Sequence, residues 1–342
     1  MTPPGSGEAA YSAGMPLRSA LTEMFGIDHP IVLAPMGGVA GGRLAAAVAE
    51  GGGLGMIGGG RGDRDWLERE CALAENGTEK PWGIGLLSWA ITLEIVEWVI
   101  SRRPAAIILS FGDPAPFADA VKGAAIPLIV QVTTTAEARR ALDVGADVVV
   151  AQGTEAGGHG GGRSTLPFVP AVVDVAGSVP VLAAGGIADG RGLAAALVLG
   201  AAGAVIGTRF EATTEALINA EEAKAITAAS ASDTIRGRVA DIAADAGWPA
   251  TYPARTLRNA FTDRWRDRED ELSTDAGALA SFRAGVDRAD MDYVPIWAGE
   301  AVDLITSLDT ATALVPRISA EAIRAINALR EHPSREPRWD ES

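Results

Sequence analysis

Apolar residues in this chain fall into short unbroken runs, separated by longer stretches in which they recur at helical spacing. Runs rich in Val, Ile and Leu begin near Ile31, Leu54, Trp82, Ala106, Ile126, Asp147, Val179 and Gly203, each followed by an alanine-rich, helix-compatible segment. A strand with one solvated face alternates apolar and polar residues, whereas a strand covered on both faces is apolar throughout. These runs are of the second kind, and their spacing of about 20 to 33 residues accommodates one strand, one helix and two short loops. Eight such units predict an α/β fold, a (β/α)8 TIM barrel. A doubly wound open sheet is the alternative. That fold concentrates glycine at its first strand-to-helix turn, while here glycine clusters after nearly every run.

The pattern breaks after about residue 230. Asp233 to Pro253 has no clear period, and the charge run from Arg264 to Glu271 reads as a solvated helix face. Ala276 to Val286, Ala298 to Leu308 and Ser319 to Leu329 carry helical spacing. The expected organisation is a disordered arm over 1–16, the barrel over 17–230, a mostly helical C-terminal addition covering the active site over 231–330, and a tail over 331–342.

Composition narrows the classes. The 342 residues include 41 glycines, about 12% against a usual share of roughly 7%, with no Gly-X-Y period and 48% hydrophobic residues, so neither a collagen nor a disordered chain fits. A net charge of −15, from 29 Lys+Arg against 44 Asp+Glu, opposes binding to nucleic acid and to anionic membranes. The single cysteine, Cys71, cannot form an internal disulfide, and His29, His159 and His332 have no zinc spacing. The expectation is a cytoplasmic protein with no metal, no signal peptide and no membrane span.

The glycines locate candidate chemistry. Gly53-Leu-Gly-Met-Ile-Gly58 satisfies the dinucleotide fingerprint G-x-G-x-x-G, but it lies inside the second strand instead of opening a helix, so a strand that backbone or a flat ring approaches closely is the better reading. Val179 to Gly190 and Ala204 to Phe210 are strands seven and eight, ending in Gly185-Gly186 and Gly207-Thr208. The loops after these strands are the habitual phosphate site of a barrel; two tight turns without a ligand are the alternative. In the stretch from Asp147 to Arg163, five glycines flank His159, and Glu155, His159 and Arg163 recur every four residues. An imidazole there, with an acid and a base nearby, suits proton transfer near neutral pH. The alternative is a histidine with no more than a packing role.

These residues resemble the nitronate monooxygenase family, FMN-dependent barrel enzymes related to flavin-type enoyl-[acyl-carrier-protein] reductases. The resemblance spans about residues 17 to 330. It rests on Ala34-Pro35-Met36, Gly58-Gly59-Gly60, Ser110-Phe111-Gly112, Gln131, Glu155-Ala156-Gly157-Gly158-His159, Ala184-Gly185-Gly186-Ile187 and Gly207-Thr208-Arg209-Phe210. It implies FMN as cofactor, with Ala34, Pro35 and Met36 beside the isoalloxazine ring, Gln131 at its polar edge, and Gly185, Gly186, Gly207 and Thr208 on the phosphate. Gly37, Gly85, Gln152, Ala156, Gly157 and Gly158 complete the cofactor-binding set it implies, and His159 is the implied active-site acid/base. Arg255 to Asn259 and Trp297 to Glu300 also look like family C-terminal segments, either covering the ring and shaping the substrate pocket or packing helices. One position departs: Trp82-Gly-Ile-Gly85-Leu stands where relatives commonly carry Phe-Gly-Val-Asn-Leu, so Gly85 replaces an expected flavin-contacting Asn.

The implied activity is oxidation of alkyl nitronates, and of nitroalkanes after loss of their α-proton to His159, with O2 to carbonyl compounds and nitrite. The expected partners are therefore a small-molecule substrate and O2; the oligomeric state is open. The same scaffold serves an NAD(P)H-dependent enoyl-thioester reductase, and a non-catalytic flavin-binding module is a third reading. Cys71 falls in the second barrel helix, away from any catalytic loop, and no Walker loop, G-x-S-x-G elbow or H-E-x-x-H sequence is present.

Overall fold

The computed structural model describes residues 17–331; the arm expected over 1–16, and the expected tail apart from residue 331, lie outside them. In chain order the strands are β1 (Ile31–Leu33), β2 (Gly55–Gly60), β3 (Trp82–Leu87), β4 (Ile107–Ser110), β5 (Leu128–Val132), β6 (Val148–Gln152), β7 (Gly158–His159), β8 (Val181–Ala184), β9 (Gly203–Ile206), β10 (Thr234–Gly237) and β11 (Ala254–Leu257). Eight of them pair in parallel in the order β1-β9-β8-β6-β5-β4-β3-β2. The two ends meet through a bridge from Val32 to Leu54, with Leu33 N–H donating to Leu54 O at 3.0 Å and Leu54 N–H to Ile31 O at 2.9 Å. The sheet thus closes into a TIM barrel, and the open-sheet alternative is excluded.

Continuous burial explains the unbroken apolar runs: every residue of β4, β6, β8 and β9 is buried, between the barrel interior and the surrounding helices. Side-chain caps start the helices at the C-terminal ends of the strands. Asp63, Thr92 and Asp189 accept from the first-turn amides of their helices, and Thr134 forms a capping box with Glu137. Cys71 is buried in the helix Arg64–Gly77, and that burial pushes its thiol up to about 11.

Beyond β9, two expectations need correction and one gains detail. First, the C-terminal region is not simply an addition to a finished barrel. The last helix, Ala311–Glu331, packs against the barrel helices Gly190–Val198 and Gly42–Glu50, with Gly190 N–H donating to Glu321 Oε2 at 3.0 Å. It is the eighth helix of the barrel, and the extra segment is inserted between strand and helix of the last unit. This helix begins at Ala311, well before Ser319, and Pro316 lies inside it.

Second, helices make up most of the regular structure over 231–330, but the part that reaches the site carries strands: β10 and β11 join β7 in a separate antiparallel sheet. Third, the helix expected over Ala298 to Leu308 is reduced to a 3-10 turn at Glu300–Leu304. The backbone there bonds outward: Gly299 N–H donates to Thr208 Oγ1 at 3.0 Å and Glu300 N–H to Glu155 O at 2.9 Å. These two amides, which no helical turn would use, tie the start of the turn to the barrel loops. The insertion has its own small core of Val239, Ala243, Phe261, Trp265, Leu272 and Phe282.

Candidate active site at the C-terminal rim of the barrel

Parallel strands deliver their C-terminal ends to one rim, where the following loops enclose a cavity of about 380 Å³. Ala34, Pro35, Met36 and Gly37 after β1, Gly85 on β3, Gln131 on β5 and Gln152 at the end of β6 line it. Ala156, Gly157, Gly158 and His159 join them from the glycine-rich loop, as do Gly185 and Gly186 after β8, and Gly207 and Thr208 after β9. Residues chosen from sequence across 175 positions therefore share one wall. Among the described residues no group of three or more His, Cys, Asp or Glu could hold a metal ion, and no helix is long and apolar enough to cross a membrane.

His159 sits on β7, whose pairing with β11 sets its position: His159 lies opposite Ala254, and Gly158 opposite Arg255. Its Nε2 lies 3.0 Å from Asp241 Oδ1 and 3.1 Å from Oδ2, and the two side chains are only 10% and 8% exposed. Trp248 stacks flat on the imidazole, with ring centroids 3.4 Å apart and planes 9° from parallel. Trp297 lies at 5.3 Å on a tilted approach. Position, tilt and one ring nitrogen of this histidine are thus fixed by protein contacts.

The acid and base expected beside His159 from the four-residue spacing are engaged elsewhere. Glu155 accepts from Thr165 N–H at 2.9 Å and from Thr165 Oγ1 at 2.7 Å, tying the loop to the next helix. Arg163 lies over Phe168 at 5.2 Å. The acidic partner is Asp241, from the helix Val239–Ala243 of the insertion. A four-residue repeat implies a shared face on a regular helix or strand, and apart from the two-residue β7 this glycine-rich segment is neither.

Two arginines of the insertion hold the loop. Arg236 donates to the carbonyls of Thr154 at 2.8 Å, Ala156 at 2.9 Å, Gly160 at 3.3 Å and Pro253 at 2.6 Å. Burial, with Arg255 beside it, pulls the Arg236 guanidinium down to about 10. Arg255 also donates to Thr154 O, and pairs with Glu300 at 2.7 Å. An aromatic wall completes the rim. Trp248 contacts Phe111 at 5.3 Å and Trp89 at 5.2 Å, Tyr252 contacts Phe111 at 5.1 Å, and Arg61 covers Trp89 while donating to Ala246 O. The Tyr252 hydroxyl donates to Glu137 at 2.9 Å, and burial together with that carboxylate raises its pKa. Phe111 holds a left-handed backbone at φ 56°, a conformation costly for a bulky residue and typical of functional sites.

The cavity wall has features that suit a planar, phosphate-bearing ligand. Gln152, which lines the cavity, donates its Nε2–H to His159 O at 3.0 Å, while its Oε1 is buried with no hydrogen-bond partner in the protein. Gly185 and Gly186 take φ values of 96° and 73°, open to glycine alone at low cost, in the turn expected to meet a phosphate. Gly85 has a steric cause: a Cβ there would lie 2.2 Å from Pro35 Cβ and 2.4 Å from Pro35 Cγ. The Pro35 ring fills the space that an Asn side chain would need. Gly58, in the false fingerprint, likewise admits the Met36 carbonyl, which a Cβ would approach to 2.2 Å.

Sequence reading missed Asp241, Trp248 and Glu211, all of which belong to this site. Glu211 ends the short helix Thr208–Glu211, lines the cavity and is 2% exposed, and burial reinforced by Glu222 raises its carboxyl to about 8. A glutamate directly after Thr-Arg-Phe, shortly beyond the apolar run Ala204–Ile206, was the available signal for Glu211. Asp241 and Trp248 fall where the sequence has no period and carry no such signal.

Comparison with known proteins places these features in context. The family model for nitronate monooxygenase matches residues 18–94 and 86–321. A curated relative from Mycobacterium tuberculosis, a (3aS,4S,5R,7aS)-5-hydroxy-7a-methyl-1-oxo-octahydro-1H-indene-4-carboxyl-CoA dehydrogenase, is 39% identical over 60% of this chain, a match that spans 58% of that relative. A nitronate monooxygenase from Paraburkholderia phytofirmans is 31% identical over 92% of this chain and 98% of its own length. Among solved structures, FabK from Thermotoga maritima superposes with a TM-score of 0.81 at 31% identity, covering 92% of this chain and 98% of that one.

Proposed function

This chain belongs to the nitronate monooxygenase family and is a flavin-dependent oxidoreductase, and from that premise we propose that it uses FMN and O2 to convert alkyl nitronates, and nitroalkanes after deprotonation, to carbonyl compounds and nitrite. The observation that carries the proposal is His159 held by Asp241 and Trp248 in the wall of the rim cavity.

The residues present fit FMN. Gln152 Oε1 offers a buried acceptor to a ligand N–H, and the turns at Gly185-Gly186 and Gly207-Thr208 suit its phosphate. Ala34, Pro35, Met36, Gly37, Gly85 and Gln131 would flank the ring, with Ala156, Gly157 and Gly158 on the side of His159. When bound, FMN supplies the electron-accepting chemistry and the route to O2.

The chain's own task is to place the substrate and move one proton. With Nε2–H donated to the Asp241 carboxylate, Nδ1 keeps the lone pair and takes the α-proton of a nitroalkane. Asp241 then stabilises the imidazolium that forms, and the Trp248 face stacked on it favours the same charged state. Phe111, Trp248 and Trp297 exclude water around the reacting carbon.

The test is anaerobic and aerobic turnover of purified protein. We expect FMN to be released on denaturation, and O2 consumption with a nitronate in the absence of NAD(P)H. No turnover across nitronates of varied chain length overturns the reading. A second reading, enoyl-thioester reduction, draws on the similarity to FabK. Rapid bleaching of the flavin by NADH or NADPH, with reoxidation by an enoyl thioester, favours it instead.

A further inference from the structure

Glu211 is not used in the proton transfer proposed above, yet it lines the same cavity. It lies one turn beyond Thr208 on the short helix that follows β9. Its Oε2 is buried without a hydrogen-bond partner in the protein. An unpartnered carboxyl inside a protein costs free energy that evolution removes easily with Leu or Gln, unless a ligand completes it.

The surrounding charges offer no compensation. Glu222, on the helix Ala220–Ala228, adds like charge. Arg209, on the same short helix, is turned to Asp309 and the Ser307 carbonyl. On the Glu300–Leu304 turn packed against this helix, Glu300 pairs with Arg255 and Asp303 accepts from Ala231 N–H at 2.7 Å. Burial and Glu222 together hold the Glu211 carboxyl up to about 8, so at neutral pH it carries its proton.

Its neighbours on the cavity wall, Gly207 and Thr208, are those assigned above to the FMN phosphate. An ionised Glu211 would repel a phosphate dianion; a protonated one has an O–H for which the protein supplies no acceptor. We propose that Glu211 is a phosphate-binding residue acting as a carboxylic acid, its O–H donating to a phosphate oxygen of the bound cofactor, so that loss of this proton loosens the cofactor. A hydrogen bond from a neutral acid to a charged oxygen is of the strong, charge-assisted kind. The proposal rests on the FMN reading but not on the substrate, and its test needs no turnover.

The experiment measures binding of FMN and of riboflavin, which lacks the phosphate, to the apoprotein by quenching of flavin fluorescence. Measurements at about pH 7 and about pH 9 keep the phosphate a dianion throughout, since its second pKa is about 6. With a Glu211 carboxyl at about 8, FMN affinity of the native protein should fall about tenfold between these conditions, while riboflavin affinity stays level. Glu211→Gln, whose amide donates at every pH, should bind FMN with no pH dependence. Glu211→Leu, which packs without a buried polar group, should bind FMN more weakly than the native protein at about pH 7, again without pH dependence, and riboflavin normally. The proposal is overturned by a pH-independent FMN affinity in the native protein, by the same slope for riboflavin, or by a slope that survives in Glu211→Gln. Failure to bind FMN at either pH overturns the cofactor reading and this proposal together, whereas pH-dependent FMN binding without nitronate turnover overturns only the proposed substrate.

Discussion

Asp241→Asn tests the proposed proton transfer at its most specific point. The substitution keeps the side-chain shape and removes the charge that faces His159 Nε2 at 3.0 and 3.1 Å. Both side chains are nearly enclosed, 8% and 10% exposed, so solvent screens the pair weakly. A hydrogen bond to a charged group contributes about 1.5 to 3 kcal/mol. Most of that contribution is felt only as the imidazole becomes charged, so it belongs to the barrier for proton removal. At about 1.4 kcal/mol per tenfold in rate, the expected loss is about 10- to 150-fold. The Asn amide also presents an N–H to Nε2, which admits the tautomer with its proton on Nδ1 and deepens the loss. The assay compares kcat/KM for a neutral nitroalkane with that for the same compound supplied as its nitronate, which has no α-proton to give up. The nitroalkane should lose the full factor and the nitronate less than about threefold. Equal losses on both substrates, or none on either, would refute a role for Asp241 in positioning the base.

Three further outcomes follow from the same geometry. Gly85→Ala would drive a Cβ to 2.2 Å from Pro35, so urea unfolding should register a loss of about 1 to 3 kcal/mol and FMN affinity should drop with it; stability within about 0.5 kcal/mol of the native protein would show that Pro35 yields freely. Arg236→Met leaves the carbonyls of Thr154, Ala156, Gly160 and Pro253 without their shared donor, and should cost about 3 kcal/mol or more while hydrogen exchange in residues 153–163 accelerates; unchanged exchange there would remove Arg236 as the loop's anchor. Glu211 should make the apoprotein less stable as pH rises. The unfolded carboxyl ionises near its ordinary 4.5 while the folded one holds its proton to about 8, so the folded state binds more protons between those values and loses stability across that window. Glu211→Gln should therefore be stabilised relative to the native protein by on the order of 3 kcal/mol more at about pH 8 than at about pH 5, read from urea unfolding at each pH; parallel pH profiles would refute the buried acid.

The barrel was legible because strands buried on both faces must be apolar at every position, and that pattern is local. The expected strand starts fall within two residues of β1 to β6, β8 and β9. The turns at Gly185-Gly186 and Gly207-Thr208 and the loop of His159 were legible for a related reason, since a parallel barrel brings every strand's C-terminal end to one rim; Ala34, Pro35, Met36 and Gln131 came from the family resemblance. The charge run after Arg264 is likewise local and largely exposed, with Trp265 the buried exception.

The insertion was opaque because its roles are set by long-range partners. Its strands are four residues each, too short for periodicity: β10 pairs with β11, and β11 in turn with the two-residue β7 in the loop that carries His159. Ala298 to Leu308 reads as a helix from its spacing, but only Glu300–Leu304 forms a 3-10 turn, whose start is tied to Thr208 and Glu155.

Sequence alone determined the eight buried parallel strands, the rim at which glycine clusters, and His159 as the candidate side chain on it, since burial and glycine placement are written residue by residue. Tertiary structure alone decided what governs that histidine. Asp241, 82 residues away, meets Nε2 only because an inserted segment folds back over the rim, and Trp248 stacks on the ring for the same reason. It also decided the meaning of Gly85, where the Pro35 ring lies in the space a side chain would take, and of Glu211, whose charge state depends on burial that no local pattern records.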